Sequence, residues 1–370
     1  MEITPVRTAH DLRDFINLPY RLYRDDPNWV APLRSEQAGQ FDVRKNPMLE
    51  HCTYRLFLAC QEGAVVGRIA AFTDRLALEH WRQPVGLFGS FECAAYPQAA
   101  QGLLEAARAW LKEQGMLAMR GPWSFASQEW GLVVEGFTPS PVILAPFNPP
   151  CYNDYLAAFG LSKVKDLLVY YIDAREGYQI PERILSLTDK IQARYGVTTR
   201  IINMRCLESE VLTIVDLANR SIADNWGFYP VTPAEGRAMA RDLKDIIHPK
   251  GIILAEGPGK VPVGFAMALP DVNLLLNGLD GRLFPTGWLR LLTGLPRLKQ
   301  YRMWALGVIP EYQGRAIDTL LYRRMYEELY SNEIRMEVNY VLEDNERMNN
   351  ALARLGVKPL RRYRVYQRET

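Results

Sequence analysis

The chain has 370 residues, 48% hydrophobic and 23% charged, a composition that fills a core, excludes a disordered protein and predicts two domains at this length. The formal charge is only +2, from 44 basic and 42 acidic residues, so we expect no nucleic-acid partner. The sequence shows no leader-like start, no long apolar run, and no CxxC or HxxxH pattern among its five cysteines and four histidines, so we expect a cytoplasmic protein without a metal site.

The first half of the chain is predicted to mix strands and helices. Short apolar runs bounded by turn residues indicate strands, and longer amphipathic stretches indicate helices. We interpret the stretch that follows, 176–200, as a linker. The predicted elements are strands over 56–60, 64–72 and 85–92, a helix over 99–114, a strand over 116–120, a helix over 152–159 and a strand over 163–172.

The second half repeats this order after an amphipathic helix over 205–224. Thr232, Pro233 and Glu235 form a capping box with proline at the first helical position, which predicts a helix through about residue 247. The remaining elements are strands over 251–257, 261–270 and 301–309, a helix over 314–330, a strand over 333–342, a helix that Asp344 or Asn345 caps and Gly356 ends, and a strand over 358–367.

Three ordered matches between the halves indicate an internal duplication. The stretch 63–74 matches 259–271, 101–120 matches 317–337, and 155–172 matches 351–368. We therefore predict an N-terminal domain over 1–175 and a C-terminal domain over 201–370.

The segment LGVIPEYQGRAID, residues 306–318, is the best candidate for chemistry. An apolar strand runs into a turn with small residues and then into an amphipathic helix. Unpaired N–H groups at a helix start hold phosphates, and small residues let a ligand approach the main chain. Arg315 adds a charge beside them. An ordinary strand, tight turn and helix explains the same letters equally well.

This segment resembles the acyl-CoA signature of the GNAT superfamily of N-acyltransferases, Gln/Arg-x-x-Gly-x-Gly/Ala. Gln313 and Gly314 fit its usual centre, and Ala316 takes the place of the last glycine. VPVGFAMALPD resembles the preceding hairpin of that family, and EDNERMNNALARLGV resembles its closing segment, with Asn345 and Gly356 in place. The resemblance implies an α/β (α+β) chain of two tandem GNAT-like domains, each a mixed, mostly antiparallel sheet flanked by helices.

The resemblance also implies how ligands bind. Acetyl-CoA or a longer acyl-CoA is the expected co-substrate, and an amine is the expected acceptor. The strand at Leu306, Gly307 and Val308 would run beside the pantetheine arm, and the Val308 N–H would stabilise the oxyanion. Besides these, the expected cofactor-binding residues are Gln313, Gly314, Arg315, Ala316, Ile317 and Asn345.

Departures from the family pattern leave the acid and base open. Leu352 stands where the family often has a tyrosine acid, and Trp304 and Ala305 occupy the strand where it often has a glutamate base. We therefore name Glu337 and Tyr340 as catalytic candidates, although each is also explained as a structural strand residue.

The first half departs further from the signature. Pro97 stands where Gly314 is in the second half, and proline removes one amide donor. We interpret this half as a domain that lost cofactor binding.

Two insertions distinguish the halves. Residues 272–300 place leucines, Phe284 and Trp288 beside arginines, which suits an amphipathic flap against lipid and a peripheral membrane location. A helical hairpin packed on the partner domain is the alternative. The loop 120–137 offers Trp123, Ser127, Glu129 and Trp130 as acceptor-pocket residues, or as inter-domain packing.

Three functions stay open at this stage. The first is acyl transfer from CoA to a small amine or peptide, and the second is long-chain transfer to a lipid amine, as in ceramide formation. The third is a non-catalytic acyl-CoA-binding sensor or scaffold, which the missing tyrosine and glutamate favour. A charged-tRNA donor is less attractive because the net charge is small.

Overall fold

A computed structural model describes residues 1–125, 130–330 and 333–370 of the chain. Up to residue 173 the strands are β1 (Glu2–Pro5), β2 (Cys52–Gln61), β3 (Ala64–Asp74), β4 (Val85–Cys93), β5 (Ala118–Gly121), β6 (Leu132–Glu135) and β7 (Ser162–Asp173). The helices of this part are α1 (Ala9–Leu22), α2 (Arg34–Gly39), α3 (Arg75–Trp81), α4 (Pro97–Glu113) and α5 (Cys151–Ala158).

The rest of the chain continues the alternation. Its strands are β8 (Thr198–Ile201), β9 (Ile252–Glu256), β10 (Pro262–Pro270), β11 (Gln300–Val308), β12 (Arg335–Leu342) and β13 (Lys358–Glu369). Its helices are α6 (Glu182–Tyr195), α7 (Leu207–Ser221), α8 (Pro233–Leu243), α9 (Asn273–Leu276), α10 (Gly287–Gly294), α11 (Ile317–Leu329) and α12 (Glu346–Arg354). The predicted mixed α/β class is confirmed.

The chain divides into two compact units. The first consists of Met1–Leu167, Asn273–Leu291 and Arg361–Thr370, and the second of Leu168–Val272 and Leu292–Leu360. By packing, residues 273–291 and 361–370 thus belong to the first unit, although the sequence prediction places them in the C-terminal domain. The domain ranges 1–175 and 201–370, which rest on the internal repeat, stay a prediction.

The first unit contains a sheet in the order β1-β2-β3-β4-β5-β13-β7. From β1 to β13 in this order the strands pair antiparallel, except β4 and β5, which run parallel. Helix α4 covers this sheet, with Leu103, Leu104 and Ala107 fully buried against Phe88 and its neighbours. The apolar face of α4 therefore packs in the core, as its amphipathic sequence predicts.

The second unit repeats that plan in the order β7-β12-β11-β10-β9-β8. Strand β11 pairs antiparallel with β10 and parallel with β12, as β4 does with β3 and β5. Leu320 and Leu321 of α11 are buried, and they are the residues that the repeat aligns with Leu103 and Leu104. The two units therefore share one topology.

Local signals fix the ends of helices in the second unit. Thr232 and Glu235 form the predicted capping box of α8, with Thr232 Oγ1 accepting from the Glu235 N–H at 3.2 Å. Asn345 caps α12, because its Oδ1 accepts from the Met348 N–H at 3.0 Å. Of the two residues that the sequence offers for this cap, Asn345 is the one used.

The predicted linker, 176–200, carries regular structure. It contains α6 and most of β8, and β8 pairs with β9 at the edge of the second unit's sheet. Gly196 ends α6 in the left-handed conformation, at φ 62°. None of the helices in the described ranges is both long and apolar enough to cross a membrane.

Candidate active site

A cleft opens in the second unit where two parallel strands separate. Residues 300–303 of β11 pair with 335–338 of β12, and the pairing stops after Met303 and Val338. Beyond that point both strands line a cleft of about 350 Å³, together with residues from α7, α11 and α12. All of its lining residues belong to the second unit.

The main chain of β11 faces this cleft at alternate residues. Gly264 of β10 lies opposite Val308, and the Ile309 N–H donates to the Val263 carbonyl at 3.0 Å across that pair. The pair is therefore the non-hydrogen-bonded kind, in which the paired residues turn their own N–H and C=O groups away from each other. The amides of Val308 and of Leu306, two residues earlier, accordingly point toward the open edge.

Gly307, between them, is needed for helix packing. A Cβ at Gly307 would lie 2.1 Å from Ser221 Oγ at the end of α7. Any larger residue would push this helix off the strand. Gly307 also lines the cleft, so its predicted role with the cofactor stays a prediction beside this packing role.

The turn after β11 is held to the strand by Gln313. Its Nε2 donates to the Val308 carbonyl at 2.9 Å, and Gln313 lines the cleft. Gly314 follows at φ 74°, and a Cβ there would meet no atom within 4 Å. Its glycine is therefore required by the left-handed backbone and not by a close neighbour.

Ala316 is the other left-handed residue of the turn. It stands at φ 56° immediately before α11 and provides no side-chain cap. Counted from Gln313, the pattern Gln-x-x-Gly-x-Gly/Ala falls on Ala316 and Asp318, and the left-handed backbone at Ala316 suits the glycine of that pattern. Counting from Gln313 therefore gives a register two residues later than the predicted one, which is centred on Gly314 and has left-handed residues at Gly314 and Ala316.

Asp318 thus stands where the pattern has its smallest residue. It lines the cleft, and its carboxylate is within hydrogen-bonding reach of its own N–H and that of Thr319. Burial raises the pKa of Asp318, while the Arg347 charge and the two amide contacts lower it by less. The Thr319 N–H donates to the Ala316 carbonyl at 3.1 Å, so Asp318 acts on the start of α11 through its charge, and the expected phosphate-binding amides stay a prediction.

Arg315 lies outside the cleft lining, whereas Ile317 is part of it. The Arg315 guanidinium is exposed and lies 4.9 Å from the centre of the Tyr312 ring and 5.3 Å from that of Tyr195. Ile317 is 1% exposed and packs in the core while lining the base of the cleft. Asn345 lines the cleft with its side chain committed to the cap of α12.

The two catalytic candidates are placed differently. Tyr340 lines the cleft, and the Arg302 guanidinium lies 5.2 Å from the centre of its ring. Glu337 is 1% exposed, is paired in register with Arg302 before the strands separate, and does not line the cleft. Leu352 is buried in a cluster with Val341 and Leu355, so a core residue fills the usual tyrosine position.

Two polar side chains of the cleft were missed by sequence reasoning. Ser221 Oγ and both polar atoms of the Asn339 amide are buried, and within the described parts of the chain they have no hydrogen-bond partner. A buried polar atom without a partner costs about 1–3 kcal/mol. The sequence around Ser221 or Asn339 does not predict these unpartnered atoms, because they lie in one cleft only after α7 and β12 have packed in the folded chain.

Strand β4 of the first unit has the same pairing geometry as β11, but the amide that corresponds to Val308 is hydrogen-bonded. Cys93 of β4 lies opposite Gly67, and the Ala94 N–H donates to the Val66 carbonyl at 2.8 Å, so Cys93 corresponds to Val308. Here the Cys93 N–H donates to the Tyr152 hydroxyl at 2.6 Å. Tyr152 is buried, and its hydroxyl lies 2.7 Å from that of Tyr23.

A group of metal-ligand-type side chains in the first unit has a structural explanation. His51, Cys52 and Asp74 place ligand-type atoms within 4.8 Å of one another. Asp74 Oδ1 already accepts from the Leu76 N–H at 2.9 Å as the cap of α3, and burial raises the pKa of Cys52 to about 11. In the loop 120–137, Trp123 and Trp130 stack at 4.2 Å, while Ser127 and Glu129 lie outside the described residues.

Solved structures identify the class of fold. A tandem GNAT protein of the clavulanic acid biosynthesis pathway matches 100% of this chain and 98% of its own, with a TM-score of 0.58 at 15% identity. A GCN5-related N-acetyltransferase from Sphaerobacter thermophilus matches 99% of this chain and 95% of its own, with a TM-score of 0.53 at 12% identity. The chain therefore has a tandem GNAT fold, as the resemblance implied.

Two curated relatives span nearly the whole chain. Protein YghO of Escherichia coli (strain K12) is 35% identical over 368 residues, which are 97% of this chain and 93% of that protein. The bacterial ceramide synthase of Caulobacter vibrioides (strain NA1000 / CB15N) is 33% identical over 377 residues, 100% of this chain and 97% of that protein. A search of protein-family models finds no match. The chain belongs to the family of these two relatives, and it has the tandem GNAT fold of the solved structures.

The backbone at Ala316 yields a matched pair of substitutions. Ala316→Gly should raise the free energy of unfolding by up to about 1 kcal/mol and keep CoA binding, because glycine adopts positive φ without strain. Ala316→Val should lower it by about 1–3 kcal/mol and weaken CoA binding on the order of tenfold. Denaturant unfolding and calorimetric titration with CoA measure both. An equal loss of CoA affinity in the two variants would contradict this placement of the turn.

Asp318 should compete with the CoA diphosphate for the first amides of α11. Removing the carboxylate with Asp318→Ala should tighten CoA binding on the order of tenfold at neutral pH, and Asp318→Asn should tighten it less. Because burial raises the Asp318 pKa, the protein takes up the proton above the ordinary carboxyl range. The difference in CoA affinity between wild type and Asp318→Ala should therefore narrow as the pH falls, and it should begin to do so above the pH range in which an ordinary carboxyl group is protonated.

The control is Asp224→Asn, which neutralises an exposed carboxylate on the rim of the same cleft. It should leave CoA affinity within about twofold. Weaker binding by Asp318→Ala at an unchanged melting temperature would show that the carboxylate holds the ligand instead of competing with it.

Proposed function

We propose that this protein is an acyl-CoA-dependent N-acyltransferase whose active site is the cleft of the second unit. The observation that carries the proposal is the separation of β11 from β12, which leaves the main-chain groups of Leu306 and Val308 facing the cleft. A pantetheine arm needs such an unpaired strand edge, because its own amides bond like a short strand.

The Val308 amide is our candidate for stabilising negative charge on the thioester oxygen. Its position is fixed by the β10 ladder, so it needs no rearrangement when charge develops. An oxyanion donor of this kind is worth about 10²–10³ in turnover. The acceptor amine attacks the thioester carbon directly and forms the C–N bond, the C–S bond breaks, the nitrogen loses one proton, and the leaving thiolate gains one.

The diphosphate of CoA is assigned to the turn at 313–317 and the start of α11. Gln313 keeps the turn against the strand, and the two left-handed residues expose its backbone. The helix dipole favours an anion at that end. The first unit has no equivalent vacancy at Cys93, so we propose one acyl-CoA site per chain.

The acceptor is assigned to the side of the cleft that holds Ser221 and Asn339. Their buried hydroxyl and amide groups can donate and accept hydrogen bonds, which an acceptor with amine and hydroxyl groups would satisfy. A purely apolar amine would leave them unsatisfied. We therefore expect an acceptor with more than one polar group near its amine.

Tyr340 is our choice for the proton donor to the leaving thiolate. Its ring lines the cleft, and its hydroxyl is buried away from bulk water. We do not retain Glu337 as a catalytic residue, because it lies in the paired part of β12, outside the cleft lining.

Long-chain transfer to a lipid amine is the more specific form of this proposal. Apolar residues line much of the cleft, including Ile222, Met303 and Val341. The relative from Caulobacter vibrioides, named a ceramide synthase, aligns over the whole chain.

The sensor alternative rests on Leu352, which leaves the usual tyrosine position without a hydroxyl.

A thiol-release assay tests the activity. The full chain should release CoA from acetyl-CoA or palmitoyl-CoA only when an amine is present, with the highest kcat/KM for a long-chain amino alcohol and the long acyl chain. Each buried methylene of the chain adds about 0.8 kcal/mol to binding. Gly314→Val should lower kcat/KM for every acyl-CoA, because a β-branched residue cannot hold the turn at φ 74°.

Two results separate the alternatives. Saturable CoA binding with no release for any pair of acyl-CoA and amine would establish the sensor and overturn the enzyme. Equal rates with acetyl and palmitoyl donors would remove the lipid form and leave short-acyl transfer.

Tyr340→Phe should lower kcat by about 10² while KM for acyl-CoA changes little, because the hydroxyl acts only as the thiolate leaves. An acyl thioester of a more acidic thiol needs no proton on leaving, so the defect should disappear with that donor. Glu337→Gln is the comparison, and its kcat per folded molecule should stay near wild type. A defect of Tyr340→Phe that persists with the acidic thiol would assign Tyr340 to packing.

A further inference from the structure

A group of exposed apolar side chains lies on the insertion between β10 and β11. Leu274 is 40% exposed, Phe284 79%, Trp288 40% and Leu289 47%. We name this group, with Arg282 and Arg290, the 274–289 surface; all of it belongs to the first unit. Large apolar side chains concentrated at this exposure mark an interaction surface.

The opposite side of the insertion is fixed to the body of the first unit. Arg34 forms an ion pair with Asp280 at 2.9 Å, and its N–H donates to the Gly281 carbonyl at 3.0 Å. A Cβ at Gly281 would lie 2.4 Å from the Pro32 carbonyl oxygen. This is the packed hairpin that the sequence offered as an alternative, and its packing leaves the apolar side turned outward.

The surface is also tied together internally. The Arg290 guanidinium donates to the Asn277 carbonyl at 2.8 Å and to the Leu274 carbonyl at 3.2 Å, which joins α10 to α9. Trp288 Nε1 donates to the Pro285 carbonyl at 2.9 Å. The exposed side chains therefore project from an anchored frame, and docking would cost little ordering entropy.

The charge of this insertion is one-sided. Its only acidic residue, Asp280, is paired with Arg34, whereas four basic residues lie between 272 and 300. Arg282 and Arg290 are exposed, and neither has a carboxylate partner in the part of the chain that the structure describes. Aromatic and leucine side chains beside such arginines match the boundary between lipid headgroups and acyl chains.

We propose that the 274–289 surface docks the protein on an anionic lipid bilayer. Phe284 and the α10 side chains enter the headgroup boundary, while Arg282 and Arg290 contact lipid phosphates. The proposal does not depend on acyl transfer, because its test measures binding alone. A failed assay of activity and a failed assay of docking are therefore distinguishable.

The test is co-sedimentation of the full chain with vesicles of phosphatidylcholine, alone or mixed with phosphatidylglycerol. Wild type should bind the mixed vesicles and lose binding as salt rises. The double variant Phe284→Glu/Trp288→Glu should reduce the partition coefficient by about tenfold or more. Arg282→Glu should reduce it on the order of fivefold.

The matched control is Leu117→Glu, which charges an apolar side chain of the same unit that is 69% exposed. It should bind vesicles as wild type does, and all variants should keep the wild-type melting temperature. Absence of wild-type binding, or equal binding by the double variant and wild type, overturns the proposal. So does light scattering that shows a dimer for wild type and a monomer for the double variant, since a second copy would then cover this surface.

Discussion

The parallel pairing of β11 and β12 is the constraint on which the site depends. Four residues of each strand pair, and the strands part after Met303 and Val338. Strand β10 continues to pair with β11 through Val308, with a register shift that leaves Trp304 unpaired, so β11 keeps one bonded edge while its other edge is released. Strand edges are normally covered or paired, so an edge kept open inside a unit is a place for a ligand.

The first unit shows what happens when the same edge is closed. Its β4 and β5 also pair for only a few residues, and the exposed amide of Cys93 is taken by the Tyr152 hydroxyl. Tyr152 comes from α5, whose place in the first unit is that of α12 in the second. One topology thus gives either a filled core or a cleft, and the side chains of one short helix decide which. This explains why the Cys93 amide is bonded whereas the Val308 amide faces a cleft.

The sequence predicts the elements well and the site only in part. Strong local signals, such as the capping box at Thr232 and the cap at Asn345, place helices correctly. The backbone conformation of the turn is not predictable from the sequence, because alanine gives no sign that residue 316 adopts a left-handed φ of 56°. The pair Ser221 and Asn339 was missed because only tertiary packing brings α7 to the cleft. Helix α6 was read as linker because its apolar face is small.

Asp318 alters how binding energy is distributed along an acyl-CoA donor. Under the proposed function, a carboxylate in the first turn of α11, where Asp318 lies, opposes the incoming diphosphate by its charge. The diphosphate therefore contributes less than the fold allows, and the pantetheine and acyl parts must contribute more. An acetyl group has little surface to bury, whereas each methylene of a long chain adds about 0.8 kcal/mol. Because the diphosphate is common to every acyl-CoA, Asp318 would weaken all of them alike, and any preference among donors in the proposed function would come from the apolar residues that line the cleft.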